Sequence, residues 1–492
     1  MKHYEQLKSV FDRINHINHF LSLGSWDNAV MIPQGSMTAR SEATSELVKI
    51  VSEIMKSPQT RELLDQAEQE SMITGWDEAN LREMKRSLDS YNKVDTEILV
   101  EKSKAASECE AAWREYRSKN DFKSLAPFME KLIQITKKQA SQLKEDGQSL
   151  YEALLDTYEP GLKVEKIDIL FNDLKKFLPE AIQSITEKQA TWEPVEPLVV
   201  PAEIQKQIAL DVMKHLGFDF HKGRVDESHH PFCGGVPEDV RITTRYDENN
   251  FVEGLFGIIH ETGHGCYEQG LPRELLGQPV ASARSLGIHE GQSLLFEKQL
   301  AKTDEFIEFL LPIFKKHLPN ANISKNQLMH AILKVEPGKN RVNADEVTYP
   351  MHIVLRYEIE KAIIEDNLDI YELPGLWDQK MQEYLGISTL GDDKDGCMQD
   401  IHWMFGAYGY FPTYTLGAMN AAQIFSAYKK TNNEWAAQAK SGDFSALKNW
   451  LSDKIWSQAS YYSTADELMS VATGEALNAE HFNHHIKTRY LK

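Results

Sequence analysis

The sequence predicts a mostly α-helical protein with one small β-sheet. Up to about residue 190, apolar side chains recur at spacings of three and four, as in "SEATSELVKIVSEIMKS" and "DFKSLAPFMEKLIQITKKQASQLK", which is the period of amphipathic helices. In "DVRITTRY" the spacing changes to two and places Val240 and Ile242 on one face, as in a short strand. Helical spacing returns in "NFVEGLFGIIHETGHGCYEQG" and continues to the end, so we expect the sheet next to that helix.

Between about residues 190 and 250, the pattern of the sequence changes. "TWEPVEPLVVPAE" carries three prolines and "SHHPFCGGVPED" is rich in Gly and Pro, so we expect an extended segment and then a loop. We find no internal repeat and no low-complexity linker that would mark a domain boundary.

Composition and charge exclude several classes of protein. The 492 residues have a formal net charge of −20 at pH 7, so neither nucleic acid nor an anionic membrane is an expected partner. No apolar run reaches the roughly 18 residues that cross a bilayer, and "MKHYEQLKSVFDRINHINHFL" does not resemble a signal peptide. The four cysteines are widely spaced, which fits a reducing compartment, and we therefore expect a cytoplasmic protein.

The pentapeptide His260-Glu261-Thr262-Gly263-His264 has the pattern of a hydrolytic metal site. Residues four apart on an α-helix share one face, so both imidazoles can bind one ion, while Glu261 lies about 100° around the helix. Zinc suits such a site because it binds imidazole well and can keep a water molecule as a further ligand. Since the pattern arises by chance in roughly one chain in a hundred of this length, a packed helix with two imidazoles is the competing interpretation.

Catalytic zinc usually has three protein ligands, and Glu290 is the leading candidate for the third. It follows His264 by 290 − 264 = 26 residues, which is enough chain for one helix to end and a second to return. The apolar residues 294–296 can dock that second helix, and a His, His, Glu set is typical of gluzincins. His289 is an alternative ligand, whereas Cys266 is a poor one because it lies about 200° around the helix from His264.

Glu261 and His264 also form the E-x-x-H unit that di-iron carboxylate proteins use twice. A second copy runs from Glu227 to His230, but Pro231 and the following glycines place it in a loop, which disfavours a di-iron centre. The closing histidines indicate a polar terminal face rather than a metal site: His481, His484 and His485.

Ordered strings along nearly the whole chain resemble the M32 metallocarboxypeptidases, the thermostable carboxypeptidases of the Taq type. Gly291 departs from that family, in which Ser usually follows the metal glutamate, and we do not expect it to touch the metal. The matching strings are "SWDNAVMIPQGSMTARSEATSEL", His230-Pro231-Phe232, Asp239-Val240-Arg241-Ile242-Thr243, the metal pentapeptide with His289-Glu290-Gly291-Gln292, Arg341-Val342-Asn343-Ala344-Asp345-Glu346, and Gly396-Cys397-Met398-Gln399-Asp400-Ile401-His402-Trp403 followed by "GYFPTYTLG".

This resemblance implies a saddle-like helical zincin (gluzincin) fold with a deep central groove. It implies one domain over residues 1–492, made of an N-terminal helical region at 1–190 and a catalytic region at 191–492. It also implies a homodimer with one divalent metal ion per chain, usually zinc, for which cobalt or another divalent ion can substitute. The implied activity is the release of single amino acids from the free C-terminus of peptides, with broad preference and with Pro disfavoured at that end.

The chemistry of such a site assigns roles to individual residues. Glu261 is predicted to be the general base that takes a proton from water and returns it to the leaving amine. The developing oxyanion needs a second donor beyond the metal, and both the resemblance and the chemistry point to Tyr410, with His402 nearby. The alternative for "AYGYFPTY" is a packed aromatic turn.

A carboxypeptidase must also bind a free terminal carboxylate, which a guanidinium does with two parallel hydrogen bonds. Arg341 is the leading candidate and Arg241 the second, although either could form a structural ion pair instead. His230 is predicted to line the groove or to bind the carboxylate. Asp239 could orient a metal histidine or pair with Arg241. For the whole chain, a zinc oligopeptidase or endopeptidase of similar fold is the alternative function, and a non-catalytic binding protein is disfavoured by Glu261.

Overall fold

The computed structural model describes residues 2–492, without the side chain of Gln34, and most of these residues are helical. The prediction of a mostly α-helical chain is therefore confirmed. The helices are α1 (Lys2–Val30), α2 (Met37–Met55), α3 (Pro58–Ala67), α4 (Trp76–Asn92), α5 (Thr96–Ser118), α6 (Phe122–Leu143), α7 (Leu150–Leu155), α8 (Val164–Gln189), α9 (Ala202–Leu216), α10 (Phe251–Gln269), α11 (Leu286–Leu294), α12 (Asp304–His317), α13 (Lys325–Ile332), α14 (Tyr349–Ile364), α15 (Leu373–Leu385), α16 (Pro412–Thr431), α17 (Trp435–Ser441), α18 (Ser445–Lys454), α19 (Ala465–Thr473) and α20 (Ala479–Ile486).

The predicted small sheet has three strands in the described residues, β1 (Gly223–Glu227), β2 (Phe232–Val236) and β3 (Asp239–Thr244). Strand β3 lies in the middle, parallel to β1 and antiparallel to β2. Its buried face carries Val240 and Ile242, as the spacing predicts. The prediction that "SHHPFCGGVPED" is a loop throughout is wrong, because residues 232–236 pair with β3.

Glycine explains why strand β2 could not be recognised from its sequence. Gly235 has a φ of 92°, and a Cβ there would lie 2.0 Å from the carbonyl oxygen of Asp239, so the tight connection between β2 and β3 needs glycine. Gly234 and Gly235 have no side chains that could show the alternating pattern of a strand. Composition therefore indicated a loop where backbone pairing produces a strand.

Helix α10 packs between the sheet and helix α11. A Cβ at Gly265 would lie 3.0 Å from Cδ1 of Ile242 on β3, and a Cβ at Gly263 would lie 2.6 Å from the backbone of α11 at Gln292 and Ser293. Glycine inside a helix costs about 0.5–1 kcal/mol relative to Ala, so close packing on both sides explains the glycines beside the histidines. Helix α11 continues directly into a π-helical segment, Leu295–Leu300.

Buried apolar side chains form separate clusters that position these helices. One surrounds α14 with α6, α8 and α15, another surrounds α10 with α9, α12 and α16, and a third joins α1, α3 and α4. The patch at residues 294–296 is buried in the cluster around α10, which confirms its predicted docking role. No helix in residues 2–492 is both long and apolar enough to cross a membrane. The single-domain organisation stays a prediction.

Candidate metal centre and active site

Three donor atoms converge between α10 and α11. Oε2 of Glu290 lies 3.8 Å from Nε2 of His260 and 3.5 Å from Nε2 of His264. The donor atoms of the three residues all lie within 4.8 Å of one another, and the described part of the chain has no other such group of His, Cys, Asp or Glu. Tetrahedral bonds of about 2.0–2.2 Å would place donor atoms about 3.3–3.6 Å apart, so the arrangement fits one zinc-sized ion.

Glu297 orients the first of these histidines and was missed by sequence reasoning. Its Oε2 lies 2.9 Å from Nδ1 of His260, which leaves Nε2 directed at Glu290. Burial raises the pKa of Glu297, but the charge of Lys298 and the hydrogen bond with His260 outweigh burial and lower it to about 2. Glu297 follows Glu290 by seven residues, but a π-helical turn begins between them, so no regular helical spacing indicates its role.

His264 is held by packing rather than by a hydrogen bond. Its ring stacks on His289 with centroids 4.3 Å apart, and its Nδ1 has no hydrogen-bond partner among residues 2–492. His289, the alternative ligand, instead directs Nε2 to Glu268 at 2.8 Å. The structure therefore brings Glu290, and not His289, to the two histidines of α10.

Glu261 is almost completely buried beside the donors, with 7% of its surface exposed. Burial raises its pKa to about 7, and the charge of His260 opposes this while that of Glu290 adds to it. The charge of Glu261 also reaches Cys233 of β2. Burial raises the pKa of that thiol, and the charge of Glu261 adds to this effect. A carboxyl group with such a pKa can both accept and release a proton near neutral pH.

Helix α16 packs directly against Glu290. A Cβ at Gly417 would lie 2.6 Å from Cγ and 2.8 Å from Cβ of Glu290, so the glycine provides the space that the glutamate occupies. Gly291, the departure from the family pattern, also faces α16, since a Cβ there would lie 3.0 Å from Cβ of Asn420.

Arg341 belongs to a buried ionic cluster. Its Nε and Nη2 donate to Asp400, which also accepts from Nε of the fully buried Arg356 at 2.8 Å. Two guanidinium groups against one carboxylate leave one unit of positive charge. Nη1 of Arg341 donates to the hydroxyl of Tyr349 at 2.9 Å. Burial raises the pKa of Tyr349 to about 12; the charge of Arg341 opposes this, and that of Glu290 adds to it, so Tyr349 lies near both charges.

His402 and Tyr410 lie at the two ends of one tight loop. Their rings stack with centroids 5.4 Å apart, and burial lowers the pKa of His402 to about 4, so the ring is neutral at pH 7. Glu360, which sequence reasoning also missed, holds the loop from inside: it accepts from Nε1 of Trp403 at 2.7 Å and from the backbone N–H of Gly409 at 2.9 Å. The aromatic packing that was the alternative interpretation is present, and it places the two candidate oxyanion donors, Tyr410 and His402, side by side.

Arg241 and Asp239 pair with each other. Nε and Nη2 of Arg241 donate to the two carboxylate oxygens of Asp239 at 2.6 and 2.8 Å, and the guanidinium lies 4.6 Å from the ring centroid of Trp26 in α1. Because side chains alternate along a strand, Arg241 points away from the face on which Ile242 meets α10. Of the two predicted roles for Asp239, the structure shows the pairing, and Glu297 is the residue that orients a metal histidine.

The remaining histidines lie in different surroundings. His230 is exposed in the turn between β1 and β2, edge-on to His229, so the second E-x-x-H copy is not on a helix, as predicted. The expectation of a polar terminal face is wrong for His485, whose half-buried ring turns inward and pairs with the buried Glu346. The sequence near the end has too little apolar periodicity to indicate this inward pairing.

A cavity of about 810 Å³ opens near the N-terminal end of α11. Residues from α1, α2 and α4 line it together with Tyr158 and Leu286, the first residue of α11. Tyr158 packs edge-on against Tyr410 with centroids 5.2 Å apart. The cavity has the size of a ligand pocket, and through Tyr158 it adjoins Tyr410, the candidate oxyanion donor.

Comparison with known proteins gives consistent relatives along the whole chain. The family model described as carboxypeptidase Taq (M32) metallopeptidase matches residues 6–490. Carboxypeptidase 1 of Bacillus subtilis is 34% identical over 496 residues, which cover 98% of this chain and 97% of that protein. Thermostable carboxypeptidase 1 of Thermus thermophilus is 34% identical over 485 residues, which cover 95% and 94%.

Solved structures agree with the sequence relatives. Metallocarboxypeptidase 1 of Trypanosoma cruzi superposes with a TM-score of 0.97 at 39% identity and covers 100% of both chains. A putative oligoendopeptidase F shares the fold alone, with a TM-score of 0.58 at 12% identity over 99% of this chain and 96% of that one. The chain belongs to the M32 family of carboxypeptidases and is a metallocarboxypeptidase.

Proposed function

We propose that one zinc ion, held by His260, His264 and Glu290, enables this enzyme to release single amino acids from the free C-terminus of peptides. The proposal depends on one observation above all: the three donor atoms lie within 4.8 Å of one another, beside a buried carboxyl group, Glu261. A buried cluster with surplus positive charge surrounds Arg341, whose partner Tyr349 lies near the charge of Glu290. Hydrolysis needs the first two features, and capture of a terminal carboxylate needs the third.

The donor set suits zinc or cobalt better than magnesium or calcium. Two imidazole nitrogens and one carboxylate favour a borderline ion, whereas the harder ions prefer oxygen ligands throughout. The hydrogen bond between Nδ1 of His260 and Glu297 leaves the Nε2 lone pair free for an ion. When bound, the ion supplies a Lewis acid that lowers the pKa of water and polarises the scissile carbonyl.

Glu261 is the general base in this proposal. Its buried carboxyl, with a pKa of about 7, can take a proton from the attacking water and return it to the leaving amine. Its position next to His260 on α10 keeps it beside the donors without making it one of them.

Arg341 anchors the terminal carboxylate in this proposal. Asp400 accepts from Nε and from one N–H of Nη2, and Tyr349 accepts from one N–H of Nη1. The second N–H of Nη1 and the second N–H of Nη2 therefore have no acceptor in the part of the chain that the structure describes. These two groups, with the surplus charge of the cluster, can bind a second carboxylate. Arg241 is the weaker candidate because its side chain lies on the face of β3 that points away from α10.

Tyr410 is proposed to donate to the oxyanion, with His402 as the neighbouring donor. The neutral His402 ring stacks on Tyr410, and its Nδ1 has no hydrogen-bond partner among residues 2–492. His230, exposed where β2 begins, is proposed to line the groove. Broad residue preference, the disfavoured C-terminal Pro, the homodimer and the cytoplasmic location remain predictions from the family resemblance.

A pair of matched peptides tests this proposal against the oligopeptidase alternative. The enzyme loaded with zinc is given one peptide with a free C-terminus and the same peptide as its C-terminal amide. Release of single residues in order from the free acid, with at least about a hundredfold slower cleavage of the amide, is expected because the amide lacks the charge that Arg341 binds. Equal cleavage of both, or cleavage at internal bonds, would sink the carboxypeptidase proposal.

A further inference from the structure

The π-helical segment Leu295–Leu300 connects the donor helix α11 to the carboxylate that orients His260. The N–H of Ala301 donates to the carbonyl of Phe296 at 2.9 Å, five residues back, as in a π-helix. Such wide turns are rare and depend on their surroundings, because an ordinary α-helix is the more stable local choice. Glu297 lies within this segment, so its reach to His260 depends on the turn being maintained.

Arg489, far along the chain, binds the end of this segment. The last carbonyl groups of a helix have no N–H partner within the helix. Nη1 of Arg489 donates to the carbonyl of Lys298, and Nη2 donates to that of Gln299 at 2.7 Å. One guanidinium therefore satisfies two carbonyls that immediately follow Glu297, which is a favourable use of a cation at a helix C-terminus.

Buried groups fix Arg489 in this position. Nη1 lies 3.3 Å from Oε2 of Glu346, a carboxylate of which only 5% of the residue surface is exposed. The hydroxyl of Tyr490 donates to the same carboxylate at 2.8 Å, and His485 pairs with it from the preceding turn. Glu346 thus binds the end of α20 and the residues after it, and so fixes Arg489 against the π-helical segment that carries Glu297.

We infer that Arg489 is a positioning residue for the metal: it stabilises the π-helical segment that places Glu297 against His260, and so strengthens metal binding without touching the site. This inference rests on the proposed function, since it takes His260, His264 and Glu290 as the ligands. Arg489 acts through Glu297 alone, so its contribution disappears when Glu297 no longer binds His260.

A double-mutant cycle on metal affinity tests the inference. The Kd for zinc is measured by competition with a chromogenic chelator for the wild type, Glu297→Gln, Arg489→Gln and the double variant, at a temperature where circular dichroism shows all four folded. Loss of an outer-shell carboxylate costs about 10- to 100-fold in affinity, and we expect about three- to tenfold for Arg489→Gln. In the Glu297→Gln background, Arg489→Gln should cause no further loss. An unchanged Kd for Arg489→Gln, or a full second loss in the double variant, overturns the inference.

Arg82→Gln is the matched control, because Nη2 of Arg82 also donates to backbone carbonyls, those of Ser460 at 2.6 Å and Tyr461 at 3.0 Å. It should lower the melting temperature and leave the zinc Kd unchanged; an equal rise in Kd would mean that any loosening of the fold weakens the metal, and would overturn the inference. His264→Ala separates the two proposals. If His264→Ala binds zinc as tightly as the wild type, the proposed ligand set is wrong; if it loses zinc while Arg489→Gln does not, only the role of Arg489 fails.

Discussion

Gly417→Ala places one methyl group where Glu290 now lies. Gly417 is inside α16, and the added Cβ would lie 2.6 Å from Cγ and 2.8 Å from Cβ of the glutamate. Carbon atoms in contact are normally about 3.5–4.0 Å apart, so the overlap is about 1 Å and either Glu290 or the whole of α16 must move. Both movements displace a proposed ligand from the two imidazoles.

The expected magnitude follows from two opposing terms. Replacing glycine by alanine inside a helix stabilises it by up to about 1 kcal/mol, whereas overpacking a close contact costs about 1–3 kcal/mol. The metal-free variant should therefore lose about 1 kcal/mol in free energy of unfolding. Gly375 in α15 is the matched control, because nothing lies within 4 Å of an added Cβ there, and Gly375→Ala should gain about 0.4–1 kcal/mol.

Two assays separate packing from metal binding. Urea unfolding of the metal-free proteins measures the stability terms, and competition with a chelator measures the zinc Kd. We expect Gly417→Ala to weaken zinc binding at least about tenfold, as loss of ligand placement does in other metal sites, and Gly375→Ala to leave it unchanged. A Gly417→Ala variant that is more stable than the wild type and binds zinc equally well would refute the placement of Glu290 against α16.

Three further predictions concern the chemistry. Glu261→Gln should keep about one zinc ion per chain and lose at least about a hundredfold in turnover; unchanged turnover removes Glu261 as the base. Arg341→Gln should raise KM for free-acid peptides at least about tenfold and leave the slow cleavage of amides unaltered, and an equal loss on both substrates contradicts the anchoring role. Burial raises the pKa of Glu360 to about 7, so its contribution to stability is complete below the unfolded pKa of about 4.3 and is lost as pH rises through about 7. Glu360→Gln cannot titrate, so its free energy of unfolding minus that of the wild type should rise by about 2–3 kcal/mol between about pH 5 and pH 8 in urea unfolding, whereas a constant difference would show that Glu360 does not titrate there.

The sequence predicted the helical elements and the donor set because both depend on local spacing. His260 and His264 share a helix face by their separation alone, and the apolar residues 294–296 indicated how the helix of Glu290 docks. For the return of that helix, the sequence predicted only that the chain between His264 and Glu290 is long enough. Its approach to α10 depends on Gly263, whose missing side chain gives no periodic signal.

Residues that act through long-range pairing could not be predicted in this way. Glu297 reaches His260 from a π-helical turn, and nothing in local propensity indicates such a turn. Arg341 was recognised as an anchor candidate, but its sharing of Asp400 with Arg356 joins segments 44 and 59 residues apart. Asp239 had two equal interpretations, and only its pairing with Arg241 in the folded chain decides between them.

In the proposed mechanism, activity depends on one metal ion held by His260, His264 and Glu290. A crystal structure of the zinc-loaded protein, with diffraction data on both sides of the zinc absorption edge, tests it most directly. We predict one anomalous peak per chain, about 2.0–2.2 Å from Nε2 of each histidine and from the carboxylate of Glu290. A peak elsewhere, with none between these three residues, or a pair of iron atoms in the same place, would contradict the claim.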